Sequence, residues 1–432
     1  MKKVLIITYY WPPSGGAGVQ RWLKFVKYLP EFGIEPIILT VDEKYASYTL
    51  TDNSLLDEVP ASVKVYYTKS WEPFKIYKKL SGKKDIPHSG FANETETSFF
   101  QKIMRFVRGN FFLPDARKGW NKFAYKKAKQ LIQEYDISTV ITTSPPHSTQ
   151  LIGRKLKNKL KINWIADLRD PWTDIYYYDQ LYHTSIAKSI DSSYEKKVLT
   201  EADKVIVVSE AIKNQFSLKI SDSDYKKFSV IPNGYDDSDF QNRVEVDKNK
   251  FIIIHTGTIA SGYHIESFLN AVQKLSEEMN GVKIILRFVG VVSGKYKDYI
   301  QNTPLKEITE YIGYVPHEQS IQYLQKSTIL FLAIPDVENN QGILTGKLFE
   351  YLGAEKTIIG VGPVHGDAAR IIKECTAGEL FDYQDQDKLF NYLLKLFNLW
   401  REGGAISVNN GKIKSYSRKH LTKELASLLD QK

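Results

Sequence analysis

Halfway along, the chain begins the same pattern a second time, and that repetition constrains its fold more than any other feature. Continuous apolar runs alternate with stretches in which apolar residues recur three or four positions apart. Val4–Thr8 is such a run, suited to a parallel strand buried on both faces. A glycine-rich turn follows, then Val19, Trp22, Leu23, Val26 and Leu29 at helical spacing, then a second run at Ile34–Thr40. Further strand candidates are Thr139–Thr143, Asn163–Ala166 and Lys204–Val208. The chain turns near Ile231-Pro232-Asn233-Gly234, and the polar stretch from Asp236 to Lys250 reads as a domain junction.

The second series opens at Phe251–His255, with a helical stripe of Ile265, Phe268, Leu269, Val272 and Leu275. Strands are expected at Lys283–Val289, Thr309–Gly313, Ile329–Ala333 and Thr357–Val361. A last helix, from about Arg418 to Asp430, has no strand after it. It is expected to pack back on the first domain. The expected organisation is therefore α/β, with domains at 1–235 and 236–412 and a closing helical segment at 413–432. Two such domains facing each other would place the carboxyl ends of both sheets on a shared cleft, where doubly wound sheets bind ligands.

A length of 432 residues suits two medium-sized domains. The single cysteine, Cys375, cannot form an internal disulfide or a thiolate metal cluster, which favours a reducing compartment. The apolar run from Val4 to Trp11 is too short for a signal peptide and is cut off by Pro12-Pro13. No window approaches the ~20 apolar residues that span a bilayer. We therefore expect a cytoplasmic protein, soluble or peripheral at the inner face of the cell membrane.

The net charge of +9 is concentrated: residues 69–129 hold 15 Lys and Arg against 5 Asp and Glu. The same segment carries Trp71, Phe74, Tyr77, Phe99, Phe100, Phe106, Phe111, Phe112, Trp120 and Phe123. Basic residues interleaved with aromatics suit an anionic membrane surface or a lipid-phosphate acceptor. Amphipathic helices that bury aromatics and show lysines to water would give the same composition. Nucleic acid would also suit such a surface but is not expected as a partner.

Thr345-Gly346-Lys347-Leu348-Phe349-Glu350-Tyr351-Leu352-Gly353 carries the most chemistry. It sets a small-residue turn, a lysine and a carboxylate at the start of an apolar helix. Such a helix start leaves backbone N–H groups unpaired and carries partial positive charge, so it can hold a phosphate. Lys347 adds a full charge, and Glu350, one turn on, can accept from the two hydroxyls of a ribose. An ordinary capped helix with a solvated Lys and Glu has the same spacing.

On its ordered motifs the chain resembles the large retaining glycosyltransferase family 4 almost end to end. They are Gly15-Gly16-Ala17-Gly18, Ser144-Pro145-Pro146-His147, Asp167-Leu168-Arg169-Asp170-Pro171-Trp172 and Ile231-Pro232-Asn233-Gly234-Tyr235-Asp236. Gly257-Thr258, Gly313-Tyr314-Val315-Pro316-His317 and the segment around Glu350 follow. The resemblance implies the GT-B fold, two Rossmann-like doubly wound domains facing a central cleft. It also implies a nucleotide-sugar donor, no essential metal or other cofactor, and retention at the anomeric carbon. Growing glycans or lipid-linked sugars in surface polysaccharide or lipopolysaccharide assembly are the implied acceptors. Gly15, Gly16, Gly18, Gly257 and Thr258 would approach the donor. Backbone near Val315 would read the base, and Gly342 to Thr345 would supply N–H groups to the phosphates. Glu350 would bind ribose beside Lys347. His147 would position the sugar or donate a hydrogen bond, and Asp170 would face the acceptor, unless it merely caps a helix before Pro171.

Two departures matter. The family's usual pair of carboxylates, eight positions apart, would require an acid at Gly342. Thr258 and Tyr263 stand where an arginine and a lysine are typical, leaving Lys347, Arg287, Lys295 or Arg21 to neutralise the diphosphate. A non-catalytic nucleotide-sugar-binding or scaffold protein would accommodate those losses. Metal-dependent transfer would want Asp-x-Asp at a strand end. Asp222-Ser223-Asp224 and Asp385-Gln386-Asp387 read instead as surface caps. An NAD-dependent oxidoreductase with Asp42 as its ribose acid fits poorly, because Gly-x-Gly-x-x-Gly is absent and Pro12-Pro13 intrudes.

Overall fold

Every apolar run named above forms a strand, and the alternation of side chains along each strand feeds two separate core layers. The structure, a computed structural model, describes residues 1–48, 50–72, 99–242, 244–279, 281–404, 406, 408 and 410–430. Contacts divide the chain into two compact units: Met1–Pro232 with Leu421–Lys432, and Asn233–His420.

In the first unit β1 (Lys2–Ile7), β2 (Ile34–Val41), β3 (Lys64–Thr68), β4 (Thr139–Ser144), β5 (Asn163–Leu168), β6 (Lys204–Val207) and β7 (Phe228–Val230) form one sheet. Its order is β3-β2-β1-β4-β5-β6-β7, and all pairings are parallel. Leu5 and Ile7 of β1 pack on one face, with Trp120, Leu131 and Ile152. Val4 and Ile6 pack on the other, with Trp22, Leu23, Val26 and, from the last helix, Leu421, Leu425 and Leu429. A period of two with both faces covered explains why the strand reads as an unbroken apolar run.

The second unit repeats the plan with β8 (Lys250–Thr256), β9 (Lys283–Val289), β10 (Thr309–Gly313), β11 (Ile329–Ala333), β12 (Thr357–Val361) and β13 (Gly378–Phe381). The order is β10-β9-β8-β11-β12-β13, again parallel throughout. Phe251 and Ile253 of β8 enter one core layer with Phe331, and Ile254 enters the other with Leu348 and Leu352. Truncating a buried anchor such as Phe331 to alanine should cost roughly 3–5 kcal/mol. In each sheet the strand order reverses beside the first strand, between β1 and β4 and between β8 and β11. Loops leaving the carboxyl ends there diverge and open a crevice, the binding position in doubly wound sheets.

The basic-aromatic segment behaves in two ways. Helix Asn121–Tyr135 buries Ala124, Ala128 and Leu131 and exposes Lys122, Lys126 and Lys129, the ordinary arrangement. Helix Phe99–Phe111 is turned inside out: Arg105 is buried, while Phe99 is 79 % exposed and Ile103 and Phe106 also face outward. Phe74, Tyr77 and the lysines from 75 to 84 lie outside the described residues.

Candidate active site

At the switch point of the second sheet, β8 runs into Gly257 and Thr258, and β11 runs into a loop that ends at helix Gly346–Gly353. Tyr351 ties the two strands together there. Its hydroxyl accepts from Thr256 N at 3.0 Å and donates to Phe331 O at 3.2 Å. The loop is pinned by Asn340, whose amide donates to Pro335 O and to the Tyr383 hydroxyl. Gly342 is buried in the short turn Asn340–Gly342. Thr345 precedes the helix without capping it by its side chain, and its buried hydroxyl has no hydrogen-bond partner among the described residues.

Lys347 folds back from the first turn of this helix under the end of β8. Its ammonium donates to Thr258 O at 3.3 Å and stands 3.4 Å from His255 Nε2. His255 Nδ1 lies 2.9 Å from Phe331 O. A carbonyl can only accept, so Nδ1 carries the proton and Nε2 offers its lone pair to the ammonium. Burial, with Lys347 adjacent, holds His255 well below the usual histidine range, so the ring is neutral. Burial also brings Lys347 down to about 8, against the opposing pull of Glu350. Gly257 makes the space: at φ +93° its Cα faces the lysine, and a Cβ there would sit 2.4 Å from Lys347 Cε.

Glu350, one turn along the helix, is half-buried. Burial raises its carboxyl, while His317 and Arg418 oppose that rise. His317 Nδ1 is 3.9 Å from Glu350 Oε1, and His317 Nε2 is 3.1 Å from Asp239 Oδ2. Val315 is partly buried two residues before His317, in the loop after β10. Tyr263 packs against the core and offers no cation. The other proposed substitutes are already engaged. Arg287 pairs with Glu310 at 2.7 Å, Lys295 with Glu266 at 2.6 Å, and Arg21 with buried Asp167 at 3.0 Å. Of the cations considered, Lys347 is the one set at the helix start.

The switch point of the first sheet gathers the other predicted residues. Gly16, at φ +93°, precedes helix Ala17–Tyr28, which has no side-chain cap. Gly15 N donates to Leu50 O, and Gly18 O accepts from Arg169 Nη1 at 2.6 Å. Arg169 also donates to Ser144 O and Pro145 O, so one guanidinium ties the first turn of helix Ala17–Tyr28 to the end of β4. Asp167 sits beneath, accepting from Trp22 Nε1 at 2.8 Å and Thr143 Oγ1 at 2.7 Å as well as from Arg21. His147 immediately precedes helix Ser148–Lys159, whose first N–H and hydroxyl are both held by Asp115. Its ring stacks on Trp172 with centroids 4.6 Å apart, and its buried Nδ1 has no partner among the described residues. Burial lowers His147 to about 4, so the imidazole is neutral at pH 7. Burial raises Asp170, with Arg169 pulling the other way. No helix starts at Pro171, directly after Asp170, so the capping alternative for that residue does not hold.

Sequence reasoning missed His255 and Asp239, and gave no role to His317 or Arg169, although both stand in the ordered motifs. His255 closes an apolar run and carries no motif of its own, while Asp239 lies in the polar junction. Asp224 is engaged by Lys227 at 3.1 Å, and Asp385 by Lys388 at 2.9 Å. Among the described residues no group of three or more His, Cys, Asp and Glu side chains is placed to share an ion.

Comparison with known proteins gives a consistent result. Residues 83–239 match the model described as Glycosyltransferase Family 4, and residues 236–409 match the one described as Glycosyl transferases group 1. No curated protein sequence matches the chain. Among solved structures, sucrose-phosphate synthase from Thermosynechococcus elongatus aligns with a TM-score of 0.66 at 13% identity, over 99% of this chain and 98% of that one. Anabaena HepE in complex with UDP-glucose aligns at 0.58 and 12% identity, over 99% of both chains. A mutant of S. aureus TarM in complex with fondaparinux, alpha-GlcNAc-glycerol and UDP aligns at 0.59 and 12% identity, over 100% of both. At these identities the likeness carries the fold, which is the two-domain α/β GT-B fold.

Proposed function

We propose that this chain, which belongs to the family 4-type glycosyltransferases, moves a sugar from a nucleoside diphosphate to a glycan or lipid-linked acceptor. The reaction retains the anomeric configuration and needs no metal ion. The carrying observation is Lys347 at the uncapped start of helix Gly346–Gly353, beneath Gly257 and beside a neutral His255.

As the bond between the anomeric carbon and the phosphate oxygen parts, the diphosphate takes both electrons. The acceptor hydroxyl oxygen bonds to that carbon and gives its proton to the departing diphosphate. Preorganised donors must absorb the departing charge. Lys347, the Thr345 hydroxyl and the N–H groups of the first helical turn supply such donors in one place. Glu350 takes the ribose hydroxyls. In the first unit, neutral His147 donates to or positions the sugar, and Asp170 faces the acceptor.

UDP-glucose in HepE and UDP in TarM support a nucleotide-sugar donor for this fold. Among the described residues no helix is long and apolar enough to cross a membrane. The outward aromatic face of helix Phe99–Phe111 supports seating on an anionic bilayer. Lys102, Ile103, Phe106 and Tyr182 line a hollow of about 380 Å³ beside it. Surface polysaccharide or lipopolysaccharide assembly at the inner membrane face is the setting that fits.

A panel of UDP-, GDP-, ADP- and dTDP-sugars, scored for binding and slow hydrolysis, tests the reading. One sugar nucleotide should bind and turn over. The missing acid at Gly342 and the missing cations at Thr258 and Tyr263 favour a second reading, a non-catalytic nucleotide-sugar-binding scaffold. Binding without hydrolysis, and without transfer to any trial acceptor, would establish that one instead.

A further inference from the structure

Asp239, His317 and Glu350 bring three titratable groups together within the second unit. Asp239 lies in the short turn Asp237–Phe240, which is anchored by the Asp236 carboxylate accepting from Ser238 N. His317 begins helix His317–Gln325 directly after Pro316. Glu350 comes from a third element, helix Gly346–Gly353. The imidazole spans the gap, Nε2 to Asp239 at 3.1 Å and Nδ1 to Glu350 at 3.9 Å.

A neutral imidazole has one N–H and one lone pair. Between two carboxylates it would aim that lone pair at one of them, which repels. The doubly protonated ring presents an N–H to each. The charged groups around Glu350 are His317, Arg418 and Lys347, all cationic, and Asp239, acidic. Burial alone would favour the protonated carboxylic acid at position 350, which has fewer lone pairs to offer two ribose hydroxyls.

We infer that His317, anchored by Asp239, is a positioning residue that keeps the Glu350 carboxylate ionised and aimed for recognition of the donor ribose. This rests on the reading of Glu350 as the ribose acceptor. Both ring nitrogens of His317 face carboxylates, so it acts on the donor through Glu350. The hydrogen bond with Asp239 raises the imidazole above its ordinary range, with Glu350 adding to the rise and burial and Arg418 opposing it. The charged ring therefore persists to higher pH than that of an ordinary histidine.

The test compares full-length wild type with His317→Gln, Asp239→Asn and Glu350→Gln by calorimetric titration. The probe is whichever of UDP, GDP, ADP and dTDP binds the wild type most tightly, beside its 2′,3′-dideoxy analogue. Wild type should prefer a ribose-bearing probe over the analogue by roughly tenfold, and Glu350→Gln should abolish that preference. His317→Gln should abolish it too, leaving affinity for the analogue unchanged, and the combined His317→Gln, Glu350→Gln variant should be no worse than either single one. Asp239→Asn retains the ring, so it should reduce the preference and lower the pH at which that preference is lost.

Equal weakening of both probes by His317→Gln would mean a structural role and overturn the inference. So would an undiminished preference in that variant while Glu350→Gln loses it, which leaves the ribose reading standing. A Glu350→Gln protein that still distinguishes the probes removes the ribose reading and the inference together. If dTDP is the tightest binder, the wild-type comparison uses 2′-deoxy against 2′,3′-dideoxy, and the same outcomes apply.

Discussion

The ammonium of Lys347 lies 3.4 Å from His255 Nε2, and the imidazole is fixed by Phe331 O on its other nitrogen. A helix residue is thereby aimed by a strand residue through a ring that must remain neutral to accept. Gly257 and the Thr258 carbonyl complete the seat. A lysine that is merely solvated at a helix start would need none of these partners.

Gly257→Ala tests this arrangement without truncating the lysine. The added methyl group would meet Lys347 Cε at 2.4 Å, on a backbone at φ +93°. The lysine tip is flexible and can withdraw, so the fold should survive while the ammonium leaves its place. Gly257→Ala, Lys347→Ala and Glu350→Ala should each lower turnover at least tenfold, about 1.4 kcal/mol or more in the barrier. Wild-type rates from all three would remove the proposed seat.

Donor affinity should depend on pH through Lys347, which burial holds at about 8. A diphosphate binds the ammonium form better than the neutral amine. Above that pH, binding must take up a proton, so affinity should fall by up to about tenfold per pH unit. Titrations from pH 6.5 to 9.5 would show this limb, and Lys347→Arg should flatten it. A wild-type profile that is level through pH 9.5 contradicts the assignment.

His147 predicts a stability effect of definite sign. The unfolded ring takes its proton near pH 6.5, the folded one near 4. Between those values unfolding takes up a proton, so stability rises with pH and is lost on acidification. Melting temperatures at pH 6.5 and 4.5 should differ more for wild type than for His147→Phe, which keeps a ring against Trp172. The excess should be on the order of 1–2 kcal/mol.

Chelation is a direct check on the metal-free mechanism. Prolonged EDTA treatment should leave the transfer rate unchanged, because Lys347 and backbone N–H groups are proposed to carry the charge of the leaving diphosphate. A strict requirement for Mg²⁺ or Mn²⁺ would reject that mechanism.

The inside-out helix predicts membrane behaviour. At low salt the protein should float with anionic vesicles and much less with neutral ones. Replacing exposed Phe99 and Phe106 by serine should reduce the floating fraction several-fold with little effect on stability, since neither side chain is in the core. Failure of wild type to float at low salt would reject a membrane role for this outward face.

Central strands were legible because burial on both faces leaves an unbroken apolar run: Lys283–Val289, Ile329–Ala333 and Thr357–Val361 match the observed strands residue for residue. The strands passed over, β3, β7 and β13, all lie at sheet edges, where one side lacks a neighbour and the run is short or half-exposed. Local order likewise marked Thr345 to Gly353 as a helix start with a cation, because capping and charge are decided within one turn of chain. Tertiary structure decided which side chains meet there. His255 reaches Lys347 from 92 positions away, and Asp239 reaches His317 from 78. It also withdrew Arg21, Arg287 and Lys295 into ion pairs and turned Phe99, Phe106 and Phe111 outward. Periodicity reports which face of an element is apolar; whether that face turns inward, and what stands opposite it, depends on parts of the chain far away in sequence.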